Sequence, residues 1–176
     1  TEPTAEGYLF EGWFSQNDGG GWQATTATSI GATTTVYASW SAVVIGAPTI
    51  DYILAGEGLP IETNIGEGDT IAIHFSTNTN WAGLPTGVHA VSKEAIDSLI
   101  ELGTTRPDVT PSLGADYVGT WELSTKFVIQ IIDATGANFA AGDSITIRAE
   151  AGLLNAEETS VACNDTAIVG GLFSPT

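Results

Sequence analysis

The chain has 176 residues, a length that suits one or two domains and can bury a substantial core. Its 21 acidic residues stand against four Lys and Arg, which gives a net charge of −17 and leaves no material for a basic patch, so nucleic acid and anionic membrane surfaces are excluded as partners. The single cysteine, Cys163, excludes an internal disulfide and a cysteine-based metal site.

Residues 1–41 predict a small module of two aromatic strands. Alternating aromatic residues predict the first strand at Tyr8–Phe14, and the second is predicted at Thr35–Trp40. Between them, Asn17–Gly21 reads NDGGG, which indicates a tight turn because these residues tolerate positive φ.

The first module resembles the second half of a Listeria–Bacteroides repeat, the internalin B-repeat type found on cell-surface proteins. The matching positions are Pro3-Thr4, Gly7-Tyr8, Phe10, Gly12-Trp13-Phe14, the Gly19-Gly20 turn, Val36-Tyr37-Ala38 and Trp40. The resemblance implies a partial β-grasp-like unit that serves as a spacer or an adhesive stalk. The repeat's opening hairpin has no counterpart ahead of Thr1.

A module of about 40 residues with two or three strands buries little apolar surface by itself. We therefore expect residues 1–41 to be completed by the second domain or by a neighbouring chain. The segment Ser41–Pro48, SAVVIGAP, is too apolar for a flexible tether and is predicted to be a strand or a packed junction. The residues predicted to make these contacts are Tyr8, Phe10, Trp13, Trp40, Val43, Val44 and Ile45.

Residues 42–176 predict a second, larger domain built mostly of short strands. Besides the central hairpin, strands are predicted at Thr49–Ala55, Thr70–Phe75, Ser144–Ala149 and Ala167–Phe173. The stretch Ser92–Leu102 changes to helical spacing, with Ser92 as N-cap and Gly103 as C-terminal stop. About seven strands at short intervals favour a β-sandwich.

The organising segment of this domain is Tyr117–Asp133, which predicts a hairpin with its turn at Glu122–Thr125. Its second strand, Phe127–Ile132, is apolar at five of six positions and is predicted to be covered on both faces. Trp121 is predicted to be a large core residue.

The second domain resembles the immunoglobulin-like repeats of very large extracellular proteins of algae, protists and some bacteria. The resemblance is carried by the segments GDTIAIHFS, AIDSLIEL, LGADYVGTW, FVIQIIDATG and GLLNAEETS and by the closing GLF. The predicted fold class is thus all-β: a partial β-grasp-like repeat at 1–41 followed by an immunoglobulin-like β-sandwich with one short helix at 42–176. The family supplies no catalytic residues.

Candidate chemistry is sparse. His74 and His89 are the two imidazoles that a general base or a metal site would need, and exposed or locally bonded histidines are the expectation. No GxSxG elbow is present, so no enzyme activity is predicted. Acidic loops containing Glu67, Asp69, Asp133 and Asp143 are candidate calcium ligands, although no EF-hand spacing occurs. Calcium is the one cofactor considered.

Trp22 and Trp81 lie in polar loops, where an exposed indole can stack on a sugar ring or pack at an interface. Asn164, in the sequon Asn164-Asp165-Thr166, is a candidate glycosylation site.

The predicted function is a non-enzymatic structural subunit, extracellular or on the cell surface, that assembles with copies of itself or with neighbouring repeats into a filament or stalk. The alternative is an adhesin module that binds carbohydrate or another surface ligand, with calcium as a possible stabiliser. Direct membrane insertion is not expected, because no run of 18 apolar residues exists. The opening TEPTAEGY lacks the features of a signal peptide, so any export signal is expected to lie outside this sequence.

Overall fold

A computed structural model gives the fold and describes residues 2–5, 8–29, 33–42, 46–58, 65–171 and 173. The chain forms two compact units, residues 1–45 and 46–176, where the sequence predicted a boundary between 41 and 42. Both units are built on β-sheets, and the described residues contain one α-helix, so the predicted all-β class is confirmed. No helix among them is long and apolar enough to cross a membrane.

The first unit contains a three-stranded antiparallel sheet. Its strands are β1 (Tyr8–Phe14), β2 (Gln23–Ala24) and β3 (Tyr37–Ala42), in the spatial order β2-β1-β3. The ladder between β1 and β3 shifts register between Phe10 and Gly12 because one extra residue, Glu11, is inserted there. The aromatic strand and its partner were both predicted, with β3 beginning and ending two residues later.

The described residues of the second unit form seven strands and one helix. In chain order they are β4 (Ile50–Gly56), β5 (Thr70–Phe75), α1 (Lys93–Leu99), β6 (Ile100–Gly103), β7 (Asp116–Leu123), β8 (Lys126–Asp133), β9 (Ser144–Ile147) and β10 (Thr166–Gly171). Short 3₁₀ turns cover Trp81–Gly83 and Ala149–Ala151.

The seven strands are hydrogen-bonded in the order β6-β9-β10-β4-β5-β8-β7. Strand β10 joins two ladders, because Thr166–Ile168 pair antiparallel with β9 while Val169–Gly171 pair parallel with β4. The first and last strands of the unit are therefore neighbours, which ties its two ends together. The immunoglobulin-like identity of this arrangement stays a prediction.

One apolar core lies against this array. The strands contribute every second residue, as Ile71, Ile73 and Phe75 do from β5, and helix α1 adds Ile96 and Leu99. Strands from both ends of the sheet order, β6 and β7, contribute to the same cluster, so the sheet must bend around it. Trp121 is buried against Phe75 and Phe127, as predicted for a large core residue.

The predicted helix at Ser92–Leu102 is wrong in its last three residues. The helix ends at Leu99, and Ile100–Gly103 form β6, which pairs with β9. Ile100 and Leu102 fit a two-residue period as well as a helical one. Pairing with β9 decides between the two periods. It gives the backbone N–H and C=O groups of this segment hydrogen-bond partners, and it places Ile100 opposite Ile147 and Leu102 opposite Ile145.

The prediction that β8 is covered on both faces is also wrong. Phe127, Ile129 and Ile131 are buried, but Val128 is only half-buried and Ile132 is exposed. The strand lies between β5 and β7, so both of its backbone edges are hydrogen-bonded. Only one of its two faces is packed against the core, and Val128 and Ile132 lie on the other face. A nearly continuous apolar run therefore overestimates burial here.

The β7–β8 hairpin depends on a glycine on its buried face. Gly119 lies opposite Ile129 in β7, between Tyr117 and Trp121 on the same face. A methyl group on Gly119 would lie 2.8 Å from Cε2 of Phe127 and 3.0 Å from Cβ of Val91. Both neighbours are fully buried, so neither can move away without disturbing the core.

We expect Gly119→Ala to lower the free energy of unfolding by about 1–3 kcal/mol, because the added methyl overpacks the site. The measurement is urea unfolding followed by tryptophan fluorescence. The matched control is Gly170→Ala in β10, where the nearest heavy atom would be at 3.5 Å, an ordinary contact. That variant should change stability by less than about 0.5 kcal/mol; equal losses in the two variants would contradict the packing argument.

Candidate functional site

The first unit presents four aromatic side chains on one face of its sheet, here called the aromatic face: Tyr8, Phe10, Trp13 and Trp40. Phe10 and Trp40 are cross-strand partners, and their ring centroids are 5.3 Å apart in an edge-to-face arrangement. The extra residue between Phe10 and Gly12 brings Trp13 round to the same side, where its ring lies 5.6 Å from that of Phe10. Tyr8, two residues before Phe10, shares this side.

No residue of the first unit is buried among those whose exposure the structure describes, residues 2–5, 8–29 and 33–41. Tyr8 is 54% exposed, and Phe10 and Trp40 are half-buried. A three-stranded sheet with an apolar face normally needs a covering layer. The aromatic face thus carries the predicted contact residues, while Val43, Val44 and Ile45 lie outside the described residues.

Strand β3 offers a backbone edge as well. In the described part of the unit it pairs with β1 alone, and its sequence YASWSA contains no charged residue and no proline. Natural edge strands are usually protected by such residues, which block pairing with another chain. This edge has none of them.

The second unit holds the other candidate site, a loop that presents Trp81. The side chain of Asn80 fixes this loop: its Oδ1 accepts from the backbone N–H of Ala82 at 3.0 Å and of Leu154 at 2.9 Å. Its Nδ2 donates to the carbonyl of Gly152 at 3.3 Å. One amide side chain therefore ties together segments that are more than 70 residues apart in sequence.

The same loop is also tied to the turn of the β7–β8 hairpin. The buried Thr79 donates from both its backbone N–H and its hydroxyl to the carbonyl of Ser124, at 3.0 and 2.7 Å. The hydroxyl of Ser124 in turn donates to Oδ1 of Asn78 at 2.7 Å. Hydrogen bonds thus tie the base of the Trp81 loop to two other segments, residues 152–154 and the turn of the β7–β8 hairpin.

Strained backbone accompanies these hydrogen bonds. Trp81, Ala82 and Glu158 have φ of 57°, 51° and 57°, in the left-handed region that non-glycine residues rarely adopt. Such a conformation costs on the order of 1–3 kcal/mol and persists only where the surrounding structure imposes it. Trp81 therefore combines a side chain that is 40% exposed with a backbone that hydrogen bonds hold in place.

A cleft of about 370 Å³ opens beside this indole. Its lining consists of Asn78, Thr79, Asn80, Trp81, Ser124, Ala156 and Glu158. Glu158 lies within 3.4 Å of the amide nitrogen of Asn80, so carboxylate, amide and hydroxyl groups surround one aromatic surface. Sequence reasoning found Trp81 but missed Asn80, Ser124 and Glu158, because only the folded chain brings them together.

Trp22, the other indole considered for carbohydrate, is 44% exposed in the first unit, next to β2. Its backbone N–H donates to the hydroxyl of Ser15 at 3.1 Å, and its carbonyl accepts from the N–H of Ser15 at 3.1 Å. These bonds close the loop between β1 and β2.

The four acidic residues considered as calcium ligands have different surroundings. Asp69 is buried and accepts from the backbone N–H of Gly58 at 2.7 Å and of Gly66 at 2.8 Å. Asp133 accepts from the N–H of Thr135 in a tight turn, and hydrogen bonds from the Thr135 side chain and backbone lower the pKa of Asp133. Glu67 is exposed. Among the described residues, no three acidic, histidine or cysteine side chains form a group that could hold a metal ion.

Asp143 is buried immediately before β9 and bound by Arg106 and Thr104. Burial raises the pKa of the carboxyl, but hydrogen bonds from Thr104, from Arg106 and from the backbone of Ala140 outweigh it, so the pKa of Asp143 is lowered. Arg106 also donates to the carbonyl of Asn138 at 2.8 Å. Asp143 therefore serves to hold two loops together.

The two histidines lie in different surroundings. The ring of His74 stacks on that of Tyr52 with centroids 4.2 Å apart, and burial together with Lys126 lowers the pKa of His74, against the opposing effect of Asp51 and Glu122. His89 is exposed in a loop. Asn164, the candidate glycosylation site, is exposed too. The hydroxyl of Thr166 in its sequon lies 2.7 Å from that of Thr146.

No family model, curated protein or solved structure matches this chain. The resemblances to the Listeria–Bacteroides repeat and to immunoglobulin-like repeats therefore stay predictions. The aromatic face and the Trp81 cleft are the two surfaces of the described residues that offer a binding function.

The Asp143 network predicts a pH-dependent loss of stability. The pKa of Asp143 is lower in the folded than in the unfolded chain, so the carboxylate stabilises the fold above its unfolded pKa of about 3.9. This stability disappears as the pH falls through the folded pKa. Asp143→Asn should thus cost about 1–3 kcal/mol near neutral pH, and the difference in stability from the wild type should shrink as the pH falls below the unfolded pKa.

The measurement is urea unfolding from about pH 7 to about pH 2. Glu67→Gln is the matched control, because Glu67 is exposed, and it should change stability by less than about 0.5 kcal/mol. A gap for Asp143→Asn that stays constant over the whole pH range would contradict the role given to its charge.

Proposed function

We propose that this chain is a non-enzymatic extracellular structural subunit that assembles with further β-domains of its own kind. The observation that supports this most directly is the first unit, in which four aromatic side chains share a sheet face and none of the residues whose exposure is described is buried. Covering such a face removes apolar surface from water, which is favourable by roughly 25 cal/mol of free energy for each Å² buried. The proposed occupant is a second copy or a neighbouring repeat.

The chemistry of the unit favours an apolar or main-chain contact. All four Lys and Arg of the chain lie beyond residue 45, so the first unit has no cation with which to attract an acidic partner. The aromatic face supplies apolar and edge-to-face contacts. The edge of β3 supplies unprotected backbone groups for strand addition.

The net charge sets the conditions of assembly. Copies that each carry −17 repel one another at long range, and salt weakens this repulsion because it shortens the screening length. Contacts between apolar surfaces are not weakened in the same way. Assembly through the aromatic face should therefore increase with ionic strength.

The alternative function, an adhesin module, draws its support from the exposed Trp81 beside a polar cleft. The two functions use different units of the chain, so they are separable by mutation.

We expect sedimentation velocity and electron microscopy to show larger, ordered assemblies at about 500 mM than at about 20 mM salt. The double variant Tyr8→Ser/Trp13→Ser should remain monomeric at both concentrations, because it removes much of the exposed apolar surface of the face. The matched control is Trp81→Ser, which removes an exposed indole from the second unit and should assemble like the wild type.

Either of two results would overturn the proposal. One is a wild-type chain that remains monomeric at every ionic strength, and the other is a double variant that assembles as well as the Trp81→Ser control. Near-ultraviolet circular dichroism would verify that the second unit remains folded in the variants, and far-ultraviolet circular dichroism would verify that the sheet of the first unit is retained.

A further inference from the structure

We infer that the cleft beside Trp81 binds a neutral pyranose sugar. The inference is independent of assembly, since a monomeric chain would bind sugar equally well. It rests on the coincidence of an exposed indole, a rigid strained loop and a set of polar side chains around a small cleft.

The size and composition of the cleft fit a small polar ligand. Its volume of about 370 Å³ is at the lower end of the range for ligand sites, roughly 300–1,000 Å³. A single aromatic plane forms one wall, and the C–H face of a pyranose ring is the complementary shape and polarity. An indole beside a pocket of apolar residues would suit an aliphatic side chain, but here five of the six other lining residues carry polar side chains.

The polar groups match sugar hydroxyls. Asn78 offers an amide, Ser124 a hydroxyl and Glu158 a carboxylate, so both donors and acceptors are present. Glu158 and Trp81 both have left-handed backbone conformations, at φ of 57°, and these place the two side chains at the same cleft. Strain at two separate segments that meet at one cleft is typical of a site in which side-chain position matters.

Electrostatics selects the charge of the sugar. Glu158 is the charged group of the cleft, and the whole chain carries −17, so an acidic sugar would be repelled. A neutral hexose pays no such cost. The site should therefore distinguish glucose from glucuronate, which differ by one carboxylate.

The loop is prepared before any ligand arrives. Asn80 and Thr79 hold its backbone through bonds to Leu154, Gly152 and Ser124. Little backbone order has to be created on binding, which lowers the entropic cost. The cleft is thus built as a rigid recognition surface.

The test is saturation-transfer NMR on the full chain, with methyl glycosides of glucose, galactose, mannose and N-acetylglucosamine, their tetrasaccharides, and glucuronate. We expect transfer to the ring C–H protons of at least one neutral sugar and at least about tenfold weaker binding of glucuronate at low salt. Trp81→Ala should weaken binding by about tenfold or more, and Glu158→Gln should narrow the gap between glucose and glucuronate. Trp22→Ala, which removes an equally exposed indole from the first unit, should bind like the wild type.

A second variant tests the same cleft in case Trp81→Ala fails to fold. Ala156→Gln places a larger side chain in the cleft at an exposed position and leaves the indole in place, and it should also lose binding. The inference is overturned if no neutral sugar shows transfer, if Trp81→Ala or Ala156→Gln binds normally, or if Trp22→Ala loses binding to the same extent.

Discussion

The packing of Phe127 against Gly119 and Trp121 is the contact on which the second unit depends. It fixes the β7–β8 hairpin, brings Phe75 of β5 into the same aromatic cluster and leaves room for Val91 over Gly119. The turn of this hairpin then holds the Trp81 loop, because Ser124 accepts both hydrogen bonds of Thr79. The core and the candidate ligand site thus share one element, and a fault in the hairpin would disturb both.

The two units differ in how far they can stabilise themselves. The second buries more than twenty apolar side chains in one cluster, whereas none of the residues of the first whose exposure is described is buried. A sheet whose described side chains are all at least partly exposed gains little from the hydrophobic effect. Such a unit either remains marginal or gains its stability by binding, and the proposed assembly follows from the second possibility.

Sequence reasoning succeeded where the pattern was local. The alternation of Thr70–Phe75 predicted a strand with its observed limits, and the hairpin over Tyr117–Asp133 was found from apolar runs on either side of a short turn. It failed where distant pairing decided the outcome: Ile100 and Leu102 leave the helical pattern because β9 binds them. Of the Trp81 cleft, the sequence predicted only the indole. Asn80 and Glu158 are 78 residues apart, and no pattern in either loop predicts that they meet.

The same limitation explains the acidic loops. Clusters of carboxylates in a sequence suggest cation binding, but Asp69 and Asp143 turn inward and accept backbone or guanidinium hydrogen bonds. Each of the chain's four cations likewise makes an ion pair with a carboxylate, as Lys93 does with Asp97 and Lys126 with Glu122. The other acidic residues far outnumber these pairs, so the surface remains strongly negative. That surplus of negative charge affects both proposed surfaces. The aromatic face should associate best when salt screens the repulsion between copies, and the Trp81 cleft should bind sugars that carry no negative charge.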